Sequence, residues 1–283
     1  MKINPRFMVI EGLSGSGKST LARRIVARLE AERAPAFYNA EPTKENPMPF
    51  GKVIRQIIEG RKLDQSEVYA CIGAIWCLYE QLAKSSANWR TQMRPLLIYK
   101  LFDNIESKLS QMADLGDKKN LLNELELQTL FLIDRRYDLE YAIEPKTARG
   151  NILVQDRYEL TTFAYGGSRG LFIEDMWNLQ VLITGEHYRV PILTVVFKVD
   201  PATAAARLQS SGKTLDRFEM TAESLQKIDA EYDSAIEFLR RKHQAIAVED
   251  RATWHGITTI DANRPEDEVF DELWRLVSSI FLR

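Results

Sequence analysis

An α/β protein built on a parallel sheet flanked by helices is the fold class that the sequence predicts. Three observations carry this prediction. Short apolar runs alternate along the chain with stretches of helical apolar spacing. A glycine-rich loop, "EGLSGSGKST", stands between the first apolar run and the first helical stretch. An Asp-Arg pair, Asp156–Arg157, closes a later run, at the kind of strand edge where open α/β sheets bind ligands.

Taken in order, Phe7–Ile10 reads as a short buried strand, and helical spacing follows at Leu21, Ile25, Val26 and Leu29. Ala36–Ala40 is a second strand, closed by Pro42. Further strands are predicted at Asn151–Gln155, Ile192–Val199 and Gly256–Ile260. Helices are predicted at Thr161–Leu182 in pieces, Pro201–Gln209, Thr221–Ile246 and Pro265–Phe281. Strands alternating with helices argue for parallel pairing with both sheet faces covered. From about Gly60 to Glu126 the rhythm breaks. That stretch is helical with no strand candidate, and Pro95 stands near the start of its second helix, where proline is tolerated. No flexible linker brackets it, so the expectation is one domain over 1–283 with a helical insertion over 60–126.

The chain of 283 residues is 45% hydrophobic and 28% charged, with a formal net charge of -2. It has material for a sizeable core and no global field that attracts nucleic acid or an anionic membrane, so neither is expected as a partner. Cys71 and Cys77 are its two cysteines. Six residues apart on a predicted helix they point in different directions, which fits two thiols in a reducing, cytoplasmic setting. No apolar run approaches the roughly 18 residues of a membrane span.

Gly12, Gly17, Lys18 and Ser19 have the spacing of a phosphate-binding loop, and the strand-before, helix-after context is right. Glycine lets the backbone wrap close to phosphate oxygens and turn successive N–H groups inward, while the following helix adds its positive end. The segment Gly12, Ser14, Gly15, Ser16, Gly17, Lys18, Ser19 and Thr20 is therefore the expected site for the phosphates of a nucleoside triphosphate. Lys18 is expected on the β- and γ-phosphates, and Ser19 on Mg²⁺. Asp156 is a second candidate for organising Mg²⁺, and Arg157 can hold another anion in a two-pronged grip. An Asp-Arg pair there suits transfer between two bound anions better than hydrolysis. No Asn-Lys-x-Asp stretch of the kind that reads guanine is present.

The sequence resembles the thymidylate (dTMP) kinase family. The resemblance rests on "VIEGLSGSGKSTLARRI", "AEPTKENPMPFGKVIRQII", "LFLIDRR", "ILVQDRYELTTFAYGGSRGL", "FKVDPATAAARL", "GKTLDRFE" and "TIDANRPEDEVFDELW". These stretches span nearly the whole chain outside the insertion. The resemblance implies a five-stranded parallel sheet and use of ATP with Mg²⁺. The reaction it implies is phosphoryl transfer to the 5′-phosphate of a deoxynucleoside monophosphate, with a homodimer plausible. By position it puts Phe131 on the acceptor base, Arg135 and Arg157 on the acceptor phosphate, and Thr162 on the base edge. Tyr165 is placed against a 2′-hydroxyl, and Arg55 in a helix reaching the acceptor. Lys213 and Arg217 fall in a lid over 210–220, from which they would help neutralise the moving group. Three positions depart from the family's pattern, and all are implied to surround the acceptor. Ser14 replaces an aspartate in the loop, Ala40 an arginine before Glu-Pro, and Gly166 a glutamine.

Two other readings compete. A deoxynucleoside kinase would phosphorylate a hydroxyl with a carboxylate base, for which Glu41 is the candidate. A regulatory ATP-binding protein would bind ATP and show no acceptor-stimulated turnover.

Overall fold

A computed structural model describes residues 1–44, 47–84, 95–115, 120–210, 221–250 and 253–282. Five strands form one sheet in the order β2-β3-β1-β4-β5, every neighbouring pair parallel. They are β1 (Lys2–Gly12), β2 (Ala36–Ala40), β3 (Ile152–Asp156), β4 (Arg189–Lys198) and β5 (Gly256–Asp261). Alternation along β1 divides the core. Met8 and Ile10 join the large cluster on one face, while Phe7 and Val9 pack with Leu139, Ile143, Leu153 and Tyr158 on the other.

The predicted strands agree with the observed ones, except that two begin earlier: β4 at Arg189 rather than Ile192, and β1 by a longer stretch. β1 begins at Lys2 rather than Phe7, and its pairing with β4 is irregular between Asn4 and Met8. Charged and proline residues in this segment hide it from an apolar-run criterion. The side chain of Asn4 is buried and donates to Thr147 Oγ1 at 3.1 Å, which offsets the cost of placing an amide there.

Helices cover both faces. α1 (Lys18–Ala31) follows the glycine loop, and α2 (Phe50–Ile58) follows β2 after a connecting segment. α3 (Gln65–Lys84) and α4 (Pro95–Leu115) pack together, and the described residues between 60 and 126 contain no strand. Their seam is partly aromatic, with Trp76, Tyr79, Tyr99 and Phe102 in mutual ring contact. Trp76 also donates to Glu106 at 2.5 Å. Tyr69 is exposed, and Trp89 lies outside the described residues. α5 (Glu124–Asp138) opens with a capping box between Asn123 and Glu126. α6 (Glu159–Gly167) and α7 (Ile173–Thr184) follow β3; α8 (Pro201–Ser210) and α9 (Ala222–Asp250) follow β4; α10 (Glu266–Phe281) closes the chain. Cys71 is buried and Cys77 exposed, both free, as expected for positions on different helix faces.

The register brings the functional ends of three strands together. Ile10 and Ala40 both pair with Asp156, so β2 and β3 finish level at one sheet edge and β1 runs on past them to Gly12. At this edge the glycine loop turns away from β1. Gly12 has φ +133°, and a Cβ there would lie 2.4 Å from the backbone oxygen of Phe197 on β4. Gly17 has φ +89°, yet a Cβ there meets nothing within 4 Å. Gly12→Ala should therefore cost about 3 kcal/mol by chemical denaturation, from clash and dihedral strain together. Gly17→Ala should cost only about 1 kcal/mol, from the dihedral alone.

Candidate active site

The glycine loop is held in shape from within and from below. Lys18 is buried, and its Nζ donates to Leu13 O at 2.6 Å and lies 3.4 Å from Ser16 Oγ. The ammonium thus lies folded over the loop at the foot of α1. Below the loop, Tyr232 on α9 donates to Gly12 O at 3.1 Å.

Glu11, the last side chain before the loop, is fully buried. It accepts from the backbone N–H groups of Tyr158 at 2.8 Å and Thr161 at 3.2 Å, and from Thr161 Oγ1 at 2.6 Å. These donors belong to the first turn of α6, whose own N-cap residue, Tyr158, supplies no side-chain cap. A carboxylate from β1 therefore caps α6, meeting both its open N–H groups and its positive end. Burial raises the Glu11 pKa above the ordinary range, opposed by the Thr161 and Tyr158 hydrogen bonds and by the charge of Arg157.

Capping α6 in this way positions the Asp-Arg pair between β3 and the helix. Asp156 accepts from the hydroxyl of Ser19 and from Tyr38 Oη, the latter at 3.0 Å. Its Oδ1 is buried and has no hydrogen-bond partner. An orphaned carboxylate oxygen beside the loop hydroxyl suits a hard cation with oxygen ligands, so the residues present fit Mg²⁺. Arg157 adopts φ +72°, a costly conformation for a residue with a β-carbon, and its N–H donates to Ile10 O at 3.0 Å. Its guanidinium reaches the Ser14 hydroxyl, Tyr165 Oη at 3.3 Å and Thr161 Oγ1 at 3.4 Å. Arg157 thus touches both Ser14 and Tyr165, two other residues expected at the site from sequence.

A second buried group lies behind this edge. Glu41, whose N–H donates to Asp156 O at 3.0 Å, takes two hydrogen bonds from Arg135, at 2.8 Å from Nε and 2.6 Å from Nη2. Arg135 Nη2 also donates to Thr162 Oγ1 at 2.9 Å. Arg135 has 0% exposure and Glu41 8%. Burial opposes the arginine's charge, but Glu41 outweighs it and holds the guanidinium above its ordinary range. Burial pushes Glu41 up to about 7, with Arg135 opposing.

The expected cluster of three acceptor arginines is therefore divided. Arg157 faces the loop, Arg135 is enclosed with its charge answered by Glu41, and Arg55 is half-buried. Arg55 donates to Pro42 O at 2.6 Å and Thr43 O at 2.7 Å, so it braces the segment after β2. Asp134 holds the same segment through Thr43 N and Oγ1. Phe131 is the partly exposed member of a stretch in which Leu130, Leu132 and Ile133 are fully buried. Thr20 is exposed at the start of α1. Gly166 is crowded, because a Cβ there would lie 2.4 Å from Met176 Sδ; the space beyond it is filled from α7. Lys213, Arg217 and the expected lid over 210–220 lie outside the described residues, apart from Ser210 at the end of α8.

Sequence reasoning missed Glu11, Thr161, Tyr38 and Gln180 as site-building residues. Only Glu11 carried a local signal, as a carboxylate continuing an apolar strand directly into the loop.

Comparison with known proteins gives one consistent result. The family model described as "Thymidylate kinase" matches residues 10–90 and 103–273. A thymidylate kinase of Ralstonia nicotianae is 27% identical over 278 residues, covering 97% of this chain and 98% of the relative. One of Burkholderia cenocepacia is 33% identical over 176 residues, covering 59% and 77%. A probable thymidylate kinase of Pyrobaculum calidifontis is 30% identical over 148 residues, covering 52% and 65%.

Two measurements check this geometry. Glycine tolerates positive φ, so Arg157→Gly should be more stable than Arg157→Ala by about 1 kcal/mol in urea denaturation. A carboxyl with a raised folded-state pKa gives the folded chain more bound protons than the unfolded one between its two pKa values. Its contribution to stability therefore falls as pH rises from the unfolded value, 4.5, through about 7. Between pH 5 and 8 the wild-type chain should lose roughly 1–3 kcal/mol more than Glu41→Gln does.

Proposed function

The chain belongs to the thymidylate kinase family, and on that premise we propose how its residues carry the reaction. It is an ATP-dependent kinase that transfers the γ-phosphoryl group of ATP to the 5′-phosphate of dTMP, giving dTDP and ADP. The observation that carries our reading of the site is the contact of Arg157 with Ser14. It brings a fork-shaped cation from the end of β3 directly against the phosphate-binding loop.

Transfer between two phosphates asks for alignment and charge neutralisation, because the acceptor oxygen is already ionised near neutral pH. In our reading the loop amides from Gly12 to Thr20 cradle the ATP phosphates. Lys18 lifts from Leu13 O onto the β- and γ-phosphates. Arg157 grips the dTMP phosphate in line with the γ-phosphate, and its φ of +72° aims it there. Ser19 and Asp156 would hold Mg²⁺, which when bound would help offset the negative charge of the phosphates. Phe131, Thr162 and Tyr165 line the nucleoside side. Arg55 shapes the loop after β2. Lys213 and Arg217 close over ATP as part of a lid. Arg135 works from inside the protein, holding Glu41 and Thr162 rather than touching phosphate. Free thiols at Cys71 and Cys77 support a cytoplasmic setting.

The other two readings are not favoured. Glu41 is gripped on both oxygens by Arg135, a poor arrangement for a base that must take a proton from a sugar hydroxyl. A regulatory ATP-binding protein gives no reason for the Arg157 arrangement.

ADP release should be stimulated by dTMP and not by thymidine in a coupled assay over nucleosides and monophosphates; stimulation by nucleosides alone would contradict the reading. Lys18→Ala should lower turnover by at least about a hundredfold. Arg157→Lys keeps the charge but loses the fork. It should raise KM for dTMP about tenfold while KM for ATP stays within about twofold.

A further inference from the structure

Behind the acceptor edge runs a buried polar chain that the reaction as described does not use. Gln180 on α7 is fully buried. Its Oε1 accepts from Arg135 Nη1 at 2.5 Å, and its Nε2 donates to Glu159 Oε1 at 2.5 Å. Glu159, 2% exposed at the start of α6, also accepts from the Tyr188 hydroxyl and lies 2.9 Å from His243 Nε2 on α9. Tyr188 and His243 are both buried, 3.0 Å apart.

The chain has a defined direction. A guanidinium only donates, so the Gln180 oxygen must face Arg135 and its NH₂ must face an acceptor, which Glu159 supplies. Burying this many polar groups gives little net stability over an apolar core of the same volume, and each link broken leaves its partner unsatisfied. Its physical consequence is orientation. Glu41 takes Nε and Nη2 of Arg135, Thr162 shares Nη2, and Gln180 takes Nη1. The guanidinium plane is thereby fixed from two sides. Glu41 is tied to the backbone of Asp156, and Thr162 adjoins Thr161, which lies against Arg157.

We propose that Gln180 and Glu159 are positioning residues for the acceptor: by locking the Arg135 guanidinium they set Glu41 and Thr162 at the edge where dTMP binds. This inference rests on the dTMP kinase reading above. It assigns the two residues an effect on the acceptor and none on ATP, because the contacts of Gln180 and Glu159 described above run to Arg135, Tyr188 and His243 and not to the glycine loop.

Steady-state kinetics with each substrate varied tests it. Gln180→Leu keeps the side-chain volume and removes both hydrogen bonds. It should raise KM for dTMP about tenfold and leave KM for ATP within about twofold. Thr184→Val on the same helix removes a buried hydrogen bond to Gln180 O, 2.7 Å long, that does not involve Arg135. It should lower the thermal midpoint and leave both KM values unchanged, so a general loosening of α7 is separated from a positioning effect. Should Gln180→Leu not fold, Gln180→Met replaces it: its thioether makes neither strong hydrogen bond, and the same split is expected. A folded variant with both KM values unchanged, or with both raised together, would overturn the inference. Wild-type protein with no dTMP-dependent turnover would overturn the kinase reading as well, so the two failures are distinguishable.

Discussion

The Glu11 carboxylate at the foot of α6 is the constraint on which the site depends. It stands at the end of β1, one residue before the glycine loop, and caps a helix that begins three residues after β3. One side chain therefore ties the loop that holds the donor to the helix that shapes the acceptor side. A longer or shorter acid would leave open N–H groups inside the core, where each unmet group costs about 1–3 kcal/mol. Arg157 lies in the short span between the two anchored elements, its N–H tied to β1 and its side chain turned to Ser14. Its left-handed conformation is sustained because β3, β1 and the capped helix leave the backbone little alternative.

α6 is consequently a two-sided device. Thr161 serves the loop side, touching Glu11, Arg157 and Tyr232. Glu159 and Thr162 serve the interior side, where Arg135 is held. Glu11, Glu41, Asp134 and Asp138 are all buried acids whose pKa values burial raises. Glu11 and Glu41 stand at strand ends and Asp134 and Asp138 on α5, and each is met by hydrogen-bond donors inside the protein.

Much of this was legible in the sequence where the signal is local. Apolar runs located the buried strands within a few residues, because strands covered on both faces need apolar side chains throughout. The loop was legible because phosphate binding demands particular residues at fixed spacing. The start of β1 was not, since Lys2 and Arg6 are exposed and Asn4 is satisfied by a threonine 143 residues away. The division among Arg55, Arg135 and Arg157 was not legible either. Whether an arginine faces substrate or is enclosed depends on its partners, and those of Arg135 are 94, 45 and 27 residues distant. Gln180 offered no signal at all. It reads as one polar residue in a mostly apolar helix, and only the fold brings it between a guanidinium and a carboxylate.

A crystal structure with dTMP and a non-hydrolysable ATP analogue bound together tests the account most directly. The account predicts the dTMP phosphate on the Arg157 guanidinium, in line with the terminal phosphate of the analogue, with Glu11 still capping α6 and Arg135 still enclosed by Glu41 and Gln180. A dTMP phosphate seated elsewhere, with Arg157 turned away from it, would contradict the account.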